Sequence, residues 1–305
     1  MKIKIITSYK PGTWDKYSKR GIESIAKNWP KEVDIVVYCE EPKPECTLDR
    51  ITWIDMNPVV PSLTNFKNKH KNDPVACGEL QEIPGGVRRL PELQIKGGLD
   101  KNKGSYLWDA VRFANKVICV IHGVRNSKDY DYVVWIDADT FTFRPMPLSF
   151  LQNLLPTDSM LTYLGREREE TKNSKYPECG FVGYNLRHPE IQNFVNDWEQ
   201  LYITDDVFKL LEWHDSFIFW HLSKKYKKEK NIKVNNIGKG VKGHHVFINS
   251  ELGLYMDHMK GKRKQGGTSG KNDLRMIPTL EYWKQRPVVT DWKTFSHNYW
   301  KKKKI

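Results

Sequence analysis

The chain has 305 residues, enough for one large α/β domain or two lobes with a sizeable core. Aromatic residues make up 12% of it, including 11 tryptophans, which excludes an intrinsically disordered protein. A formal net charge of +13 indicates an acidic partner or an anionic surface, although runs of lysine commonly form only a solvated face.

The five cysteines indicate the redox environment. Their number is odd, and no two have the C-x-x-C spacing of a zinc or redox site. This pattern argues against a disulfide framework and favours a reducing setting. The sequence also has no apolar run of about 18 residues and no leader-like apolar segment. We therefore expect a cytoplasmic protein, peripheral to the inner membrane face, with the lysine tail 301–304 in contact with anionic lipid.

Strand and helix patterns alternate along the chain. In the first half, short apolar runs and helical spacings predict elements over residues 4–8 (strand), 17–29 (helix), 34–38 (strand), 51–54 (strand) and 107–121 (helix). In the second half, the same criteria predict 133–136 (strand), 148–155 (helix), 160–163 (strand), 180–185 (strand), 190–202 (helix) and 214–224 (helix). The alternation is typical of an α/β fold with a mostly parallel central sheet flanked by helices.

Two segments lack a clear periodic pattern. Residues 59–104 contain several prolines and two Gly-Gly pairs, which predicts an irregular insertion that covers or flanks the acceptor side of the site. Residues 265–305 are rich in lysine and predict a basic C-terminal extension.

The most informative segment joins a buried strand to two carboxylates. Four apolar residues, 133–136, lead directly into Asp137 and Asp139, whose alternation places both side chains on one side of an extended chain. In open α/β sheets, ligands bind outside the carboxyl ends of the strands. Neighbouring carboxylates are unfavourable without a cation, and oxygen ligands of this kind suit Mg²⁺ or Mn²⁺ together with substrate phosphates. Capping of a turn is the alternative for so short a motif.

A second motif lies far along the chain, where His258, Gly261 and Lys264 form the pattern H-x-x-G-x-x-K. The histidine can supply a nitrogen ligand to Mn²⁺, the glycine permits close approach of the backbone to a phosphate, and the lysine is a point charge for a diphosphate. A mobile basic loop is the alternative if the motif stands alone.

A D-x-D after a buried strand, followed by H-x-x-G-x-x-K, resembles glycosyltransferases of the GT-A fold. The pattern is most similar to glycosyltransferase family 8, the glycogenin and lipopolysaccharide galactosyltransferase group. The resemblance implies that residues 1–305 form a single GT-A-like (nucleotide-diphospho-sugar transferase) catalytic domain. It further implies that Asp137, Asp139 and His258 hold Mn²⁺ (or Mg²⁺), and that Gly261 and Lys264 bind the diphosphate of a UDP-sugar.

Two further segments resemble parts of the site in such enzymes. Glu178 and Gly180 occupy the position of the segment that contacts the donor sugar, which makes Glu178 a candidate catalytic residue. Asp215 opens a predicted helix, where an aspartate is by default a cap or dipole partner. The resemblance instead implies a catalytic carboxylate near the reacting sugar. The family retains the anomeric configuration, whereas an inverting enzyme would need a general base, for which Asp215 is the candidate.

The remaining candidates concern the nucleotide. The first predicted strand ends near Thr7 and Tyr9, and in the resembling fold this loop meets the base and ribose, although a packed tyrosine is an equal alternative. Arg112 and Lys116 lie on a narrow polar stripe of the helix before the D-x-D strand. Such enzymes often carry basic residues there, so both side chains are expected at the donor pocket.

The sequence as a whole predicts a metal-dependent glycosyltransferase of the hexosyltransferase type. Its donor would be a nucleoside-diphosphate sugar, expected to be a UDP-sugar, and its acceptor a hydroxyl of a glycan, lipid-linked or lipopolysaccharide-type molecule. A sugar nucleotidyltransferase is an alternative, but residues 9–13 are a poor version of the glycine-rich basic loop that it needs. A non-enzymatic polyanion-binding protein would explain the charge without explaining the two aspartates. No nucleic-acid partner is expected.

Overall fold

The computed structural model describes residues 1–46, 48–79, 106–166, 176–241 and 245–261. It also describes shorter pieces at 82–83, 86–87, 263–266, 269 and 273. The predicted extension 265–305 therefore lies almost wholly outside the described residues, as does most of 80–105.

Strands and helices alternate in the described residues much as the hydrophobic patterns predict. The strands are β1 (Ile3–Tyr9), β2 (Asp34–Cys39), β3 (Ile51–Asp55), β4 (Glu82–Ile83), β5 (Gly86–Val87), β6 (Tyr132–Ile136), β7 (Thr140–Thr142), β8 (Leu161–Leu164), β9 (Glu178–Asn185), β10 (Val234–Asn236) and β11 (Met256–His258). The α-helices are α1 (Lys19–Asn28), α2 (Pro61–His70), α3 (Ala110–Arg125), α4 (Leu148–Leu154), α5 (Ile191–Ile203), α6 (Asp215–Lys230), α7 (Val246–Asn249) and α8 (Arg263–Gly266). Short 3₁₀ or π turns occupy Trp14–Ser18, Tyr106–Trp108, Asp206–Lys209 and Glu251–Leu254.

Seven of the described strands form one central sheet in the order β10-β8-β9-β6-β1-β2-β3. The pairs β10–β8, β6–β1, β1–β2 and β2–β3 are parallel, and β9 runs antiparallel to both of its neighbours. This confirms the expected α/β class with a mostly parallel sheet. Because β9 runs antiparallel to β6, the start of β9 lies next to the end of β6.

Both faces of the sheet are covered, which is why β6 is apolar throughout. Val133 and Trp135 pack into the core beneath α3, α5 and α6. Val134 and Ile136, which point to the other face, pack with residues of α1 and α4. The carboxyl end of β6 therefore emerges between two packed layers and is held rigidly.

A small second sheet lies beside this end. β7 and β11 pair antiparallel, with Thr140 opposite His258 and Thr142 opposite Met256. Sequence periodicity predicted neither strand, because each has only three residues. This pairing joins the C-terminal motif to the D-x-D motif across more than a hundred residues.

The predicted insertion 59–104 is corrected in part, because α2 forms within it. Pro61 occupies the first turn, where its missing N–H is tolerated, and Leu63 and Phe66 are buried one turn apart. This single apolar stripe packs on α3 and α5. A helix with so few apolar residues escapes a search for long periodic patterns.

The other predicted elements are present with ends shifted by a few residues. The largest shift is at the end of α6, which continues to Lys230. Helix α3 begins at Ala110 because the Asp109 side chain caps it by accepting a hydrogen bond from the Arg112 backbone N–H. The five cysteines are all free thiols. No helix in the described residues combines the length and apolar character needed to cross a membrane.

Candidate functional site

A cleft of about 470 Å³ opens at the carboxyl ends of β1 and β6. Ten of the residues singled out from the sequence line it: Tyr9, Arg112, Lys116, Asp137, Asp139, Gly180, Asp215, His258, Gly261 and Lys264. Thr7 and Glu178 do not line it, since Thr7 is fully buried within β1 and Glu178 is buried behind His258. A similar hollow near Phe66 and Tyr202 lies away from these residues.

Asp137, Asp139 and His258 form a tight cluster, with one potential ligand atom from each lying within 4.8 Å of the others. His258 Nε2 is 3.1 Å from Asp139 Oδ1 and 3.6 Å from Asp137 Oδ2. Two carboxylate oxygens and one imidazole nitrogen are a donor set that suits Mn²⁺ and also accepts other divalent ions.

The backbone around the cluster is fixed by hydrogen bonds. The Thr140 N–H donates to the Asp137 carbonyl at 2.9 Å, which closes a turn between β6 and β7. The Met259 N–H donates to the Asp139 carbonyl at 2.9 Å, which extends the β7–β11 pairing to the aspartate itself. The two motifs are therefore held together by main chain, independently of any ion.

Asp137 Oδ1 is already occupied by two donors. Trp135 Nε1 donates to it at 2.6 Å, and Lys116 Nζ lies 3.2 Å away. These contacts leave Asp137 Oδ2 as the oxygen that faces His258. The structure thus assigns the two oxygens of Asp137 to different neighbours and fixes the orientation of the carboxylate.

Gly180 and Glu178 support the histidine from β9. A Cβ on Gly180 would lie 2.7 Å from His258 Cε1 and 2.8 Å from Nδ1, so only glycine leaves room for the ring. Glu178 Oε1 lies 2.9 Å from His258 Nδ1, and Glu178 also pairs with Arg166 and Lys260. Glu178 is only 1% exposed and contacts the His258 ring rather than the cleft.

Neighbouring charges shift the pKa values of His258 and Asp139. Burial alone would lower the pKa of His258, but Asp139 and Glu178 outweigh it and raise that pKa to about 10. Burial alone would raise the pKa of Asp139, but His258 and Lys264 hold it well below its usual range. In the absence of a metal ion, a protonated imidazole therefore supplies positive charge to Asp139, together with Lys264.

A second charged cluster adjoins the first. Lys116 Nζ lies 2.7 Å from Asp215 Oδ2 and 2.6 Å from the Cys179 carbonyl oxygen, in addition to its contact with Asp137. Burial favours the neutral amine, yet the two aspartates raise the Lys116 pKa above its ordinary value. Lys116 thus lies buried between two carboxylates, and its ammonium group is paired with both of them.

Three further residues line one rim of the cleft from the C-terminal motif. Lys264 Nζ lies 2.9 Å from Asp139 Oδ2 and 4.3 Å above the Tyr17 ring. Gly261 adopts φ +62°, a left-handed conformation that glycine accepts without strain, and turns the chain between β11 and α8. Lys260, whose side chain is half exposed, adds a second ammonium group at this rim.

The opposite rim is formed by β1 and α3. Tyr9 lines the cleft but is buried, and its hydroxyl donates to Cys39 Sγ at 3.8 Å while its ring packs 5.3 Å from that of Trp14. Ser8, which the sequence did not single out, lines the cleft beside it. Arg112 is exposed on the first turn of α3, with its guanidinium carbon 5.5 Å from the Phe113 ring centre. Arg112 is therefore an unburied cation at the mouth of the cleft.

Sequence reasoning did not single out several residues of the cleft, among them Trp135, Lys260 and His214, nor Glu212, which contacts His214 from outside the cleft. Trp135 was detectable, because the two-residue period of an extended chain places it on the same side as Asp137. His214 and Glu212 carried no such signal, since their roles depend on the packing of the 210–214 segment against α3.

No known protein-family model matches the chain, and no curated protein sequence matches it significantly. Among solved structures, the apo crystal structure of mouse xyloside xylosyltransferase 1 is similar at 11% identity, covering 77% of this chain and 84% of that one, with a TM-score of 0.43. A likeness of this size leaves the chemistry of the cleft to be inferred from its own residues.

Proposed function

We propose that this protein is a metal-dependent glycosyltransferase of the GT-A type, using a nucleoside-diphosphate sugar as donor. The observation that supports this most directly is the cluster of Asp137, Asp139 and His258 in a cleft with ammonium groups on its rim. Such a cleft suits a ligand that carries both a divalent cation and negative charge.

The residues fit a divalent ion by two tests. Asp137 Oδ2, Asp139 and His258 already converge, and the glycine at 180 leaves space for the imidazole at the edge of the cluster. When bound, the ion would neutralise charge on the departing diphosphate. Mn²⁺ is our first choice because the set includes an imidazole, with Mg²⁺ as the alternative.

Other residues of the cleft would bind the diphosphate, orient His258 and contact the nucleoside. Lys264, and Lys260 beside it, would hold the diphosphate by charge, while Gly261 permits close approach of the backbone. Glu178 would keep His258 oriented. Ser8, Tyr9 and Arg112 form the opposite rim, which we propose as the side that meets the nucleoside.

Several finer assignments belong to the same proposal. We propose UDP as the nucleotide, a donor site like that of glycosyltransferase family 8, and an acceptor hydroxyl on a glycan or lipid-linked glycan. Cytoplasmic action at an anionic membrane face also stays a proposal. These assignments derive from the resemblance of the two motifs and from the charge of the chain.

The decisive experiment is calorimetric titration of UDP into the protein in Mn²⁺ and again in EDTA, with GDP as the control ligand. We expect UDP binding that requires Mn²⁺ and is abolished by Asp139→Ala, since this removes one ligand and the partner of Lys264. Asp158→Ala is the matched control, because Asp158 is an exposed carboxylate paired only at the surface with Lys233.

Two results would count against the proposal. Equal UDP binding in Mn²⁺ and EDTA would show that the site binds UDP without a metal ion. Failure of both nucleotides to bind, together with salt-sensitive binding of heparin or other polyanions, would favour a polyanion-binding protein instead. If UDP binds as expected, a panel of UDP-sugars screened for UDP release would identify the donor.

A further inference from the structure

We propose that His214, held in place by Glu212, accepts the proton of the attacking acceptor hydroxyl. This inference rests on the proposed glycosyltransferase function and adds a catalytic residue to it. It assigns the catalytic base to a histidine–glutamate pair, rather than to the carboxylates that the sequence singled out. A base in this position serves a direct displacement that inverts the anomeric configuration, in contrast to the retention that the resemblance to family 8 implies.

One nitrogen of His214 is fixed by a carboxylate. Nε2 lies 2.7 Å from Glu212 Oε2, and the other oxygen of Glu212 accepts a hydrogen bond from the Tyr176 hydroxyl at 3.1 Å. Because a carboxylate can only accept, Nε2 carries the hydrogen of that contact. Nδ1 is then the nitrogen with a lone pair available to a substrate.

The second nitrogen lies on the side of Asp215, which lines the cleft. His214 Nδ1 lies 3.9 Å from Asp215 Oδ1, and both residues line the cleft whereas Glu212 does not. This separation is too long for a direct hydrogen bond. Two bonds of about 2.8 Å from one oxygen atom can span any separation up to about 5.6 Å, so a single hydroxyl can contact both groups.

Aromatic rings hold the imidazole in its plane. The ring centres of Tyr106, Phe113 and Tyr176 lie 5.6, 6.0 and 5.6 Å from that of His214. Tyr106 is 57% exposed at the cleft, which offers an apolar face beside the histidine for the ring of an acceptor sugar.

The charges around His214 favour it over Asp215 as a base. Among the described residues, Glu212 and Asp215 are the ionic groups that face the ring, Tyr106 and Tyr176 are the titratable rings packed on it, and Lys116 lies beyond Asp215. Burial lowers the His214 pKa, but Asp215 and Glu212 outweigh it and raise that pKa above its ordinary value.

The pKa of Asp215 is shifted in the opposite direction to that of His214. Burial alone would raise its pKa, but Lys116 and His214 hold it well below its usual range. A carboxylate so strongly stabilised in its charged form accepts a proton poorly. Asp215 is therefore better suited to orienting the hydroxyl and stabilising the imidazolium.

The step is a transfer from a nucleoside-diphosphate sugar. The acceptor oxygen forms a bond to the anomeric carbon, while the bond from that carbon to the diphosphate oxygen breaks and its electron pair leaves with the diphosphate. The hydroxyl proton passes to His214 Nδ1, and the imidazolium later releases it to solvent. In donor hydrolysis, water takes the place of the acceptor.

The test is the pH profile of UDP release from the best UDP-sugar substrate in Mn²⁺, with full-length protein. We expect His214→Gln to lower kcat by about 10²–10⁴-fold, while UDP binding by calorimetry is retained. Glu212→Gln removes a charge that raises the histidine pKa, so the acidic limb of the profile should move to lower pH by about one unit.

Two controls separate this chemistry from folding effects. Tyr176→Phe removes the hydroxyl that contacts Glu212 but keeps both the ring and the charge, so its acidic limb should not move. His221→Gln replaces a histidine of α6 that lies outside the cleft and should leave both kcat and the profile unchanged.

The outcomes distinguish this inference from the proposed function. An unchanged kcat in His214→Gln, or an unmoved acidic limb in Glu212→Gln, would overturn the role of His214 while leaving the glycosyltransferase in place. If the wild-type protein binds UDP but hydrolyses and transfers no sugar, or binds no UDP at all, the proposed function and this inference fail together.

Discussion

The cleft contains two carboxylate clusters that differ in the kind of cation that neutralises them. In the first cluster, His258 lies between Asp137 and Asp139 and carries a proton that can leave. Lys116 and Lys264 add one ion pair each to these two aspartates. Asp215 is balanced by Lys116, a buried ammonium group with a pKa raised above its ordinary value.

This difference indicates different roles for similar groups. An imidazolium can lose its proton and present a lone pair to a metal ion, so the first cluster can exchange one cation for another. A lysine held between two aspartates and a carbonyl oxygen cannot be exchanged without leaving buried charges unpaired. We therefore expect the first cluster to bind a ligand and the second to maintain a fixed geometry.

The largest expected effect is on the fixed cluster. Lys116→Met should lower the free energy of unfolding by about 3–5 kcal/mol, because it leaves Asp137 and Asp215 without their shared cation. Chemical denaturation measures this loss. Adding Asp215→Asn to the same variant should recover part of it, and equal losses in the single and double variants would show that packing rather than charge is responsible.

The second prediction concerns the exchangeable cation. The His258 pKa is raised from 6.5 to about 10, so its contribution to stability is fully present below pH 6.5 and is lost as pH rises through about 10. In EDTA, the difference in unfolding free energy between wild type and His258→Gln should shrink by a few kcal/mol across this window. A difference that stays constant with pH would contradict the protonated imidazole.

The third prediction concerns the space that β9 leaves for His258. Gly180→Ala should cost about 1–3 kcal/mol and weaken Mn²⁺ binding, because the added Cβ displaces the imidazole. Gly183→Ala is the matched control on the same strand, since its Cβ would meet the flexible end of Leu155 at 2.6 Å. Loss of metal affinity in both variants would indicate a general disturbance of β9.

The smallest predicted effect is on a single supporting hydrogen bond. Trp135→Phe keeps an aromatic ring beneath Lys116 but removes the N–H donor to Asp137 Oδ1, so Mn²⁺ affinity should fall about 10–100-fold. Trp213→Phe also removes a buried indole donor, here to the Leu210 carbonyl, and should leave Mn²⁺ affinity unchanged. Calorimetry with Mn²⁺ alone distinguishes the two variants.

Much of the fold was predictable because it follows from local hydrophobic patterns in the sequence. The uninterrupted apolar run before Asp137 predicted β6, and the helical spacing after residue 107 predicted α3, since these elements are buried over most of their length. Helix α2 and the three-residue strands β7 and β11 were not predicted. Their residues form too few periods for a pattern, and their pairing is decided by contacts distant in sequence.

The residues of the candidate site likewise differ in how far the sequence alone could identify them. Asp137 and Asp139 were identifiable because a strand end and a two-residue period suffice to place them together. The sequence supplied His258 only through a motif, and its approach to Asp139 depends on the pairing of β7 with β11.

The sequence by itself determined the α/β class, the central strands and the acidic pair at the end of β6, because burial and alternation are local properties. Only the tertiary structure decided that Lys116 bridges two carboxylates, that Glu178 lies behind His258, and that Glu212 contacts Nε2 of His214. Those roles are set by distances of a few ångströms between separate elements, and a periodic pattern in the sequence does not encode such distances.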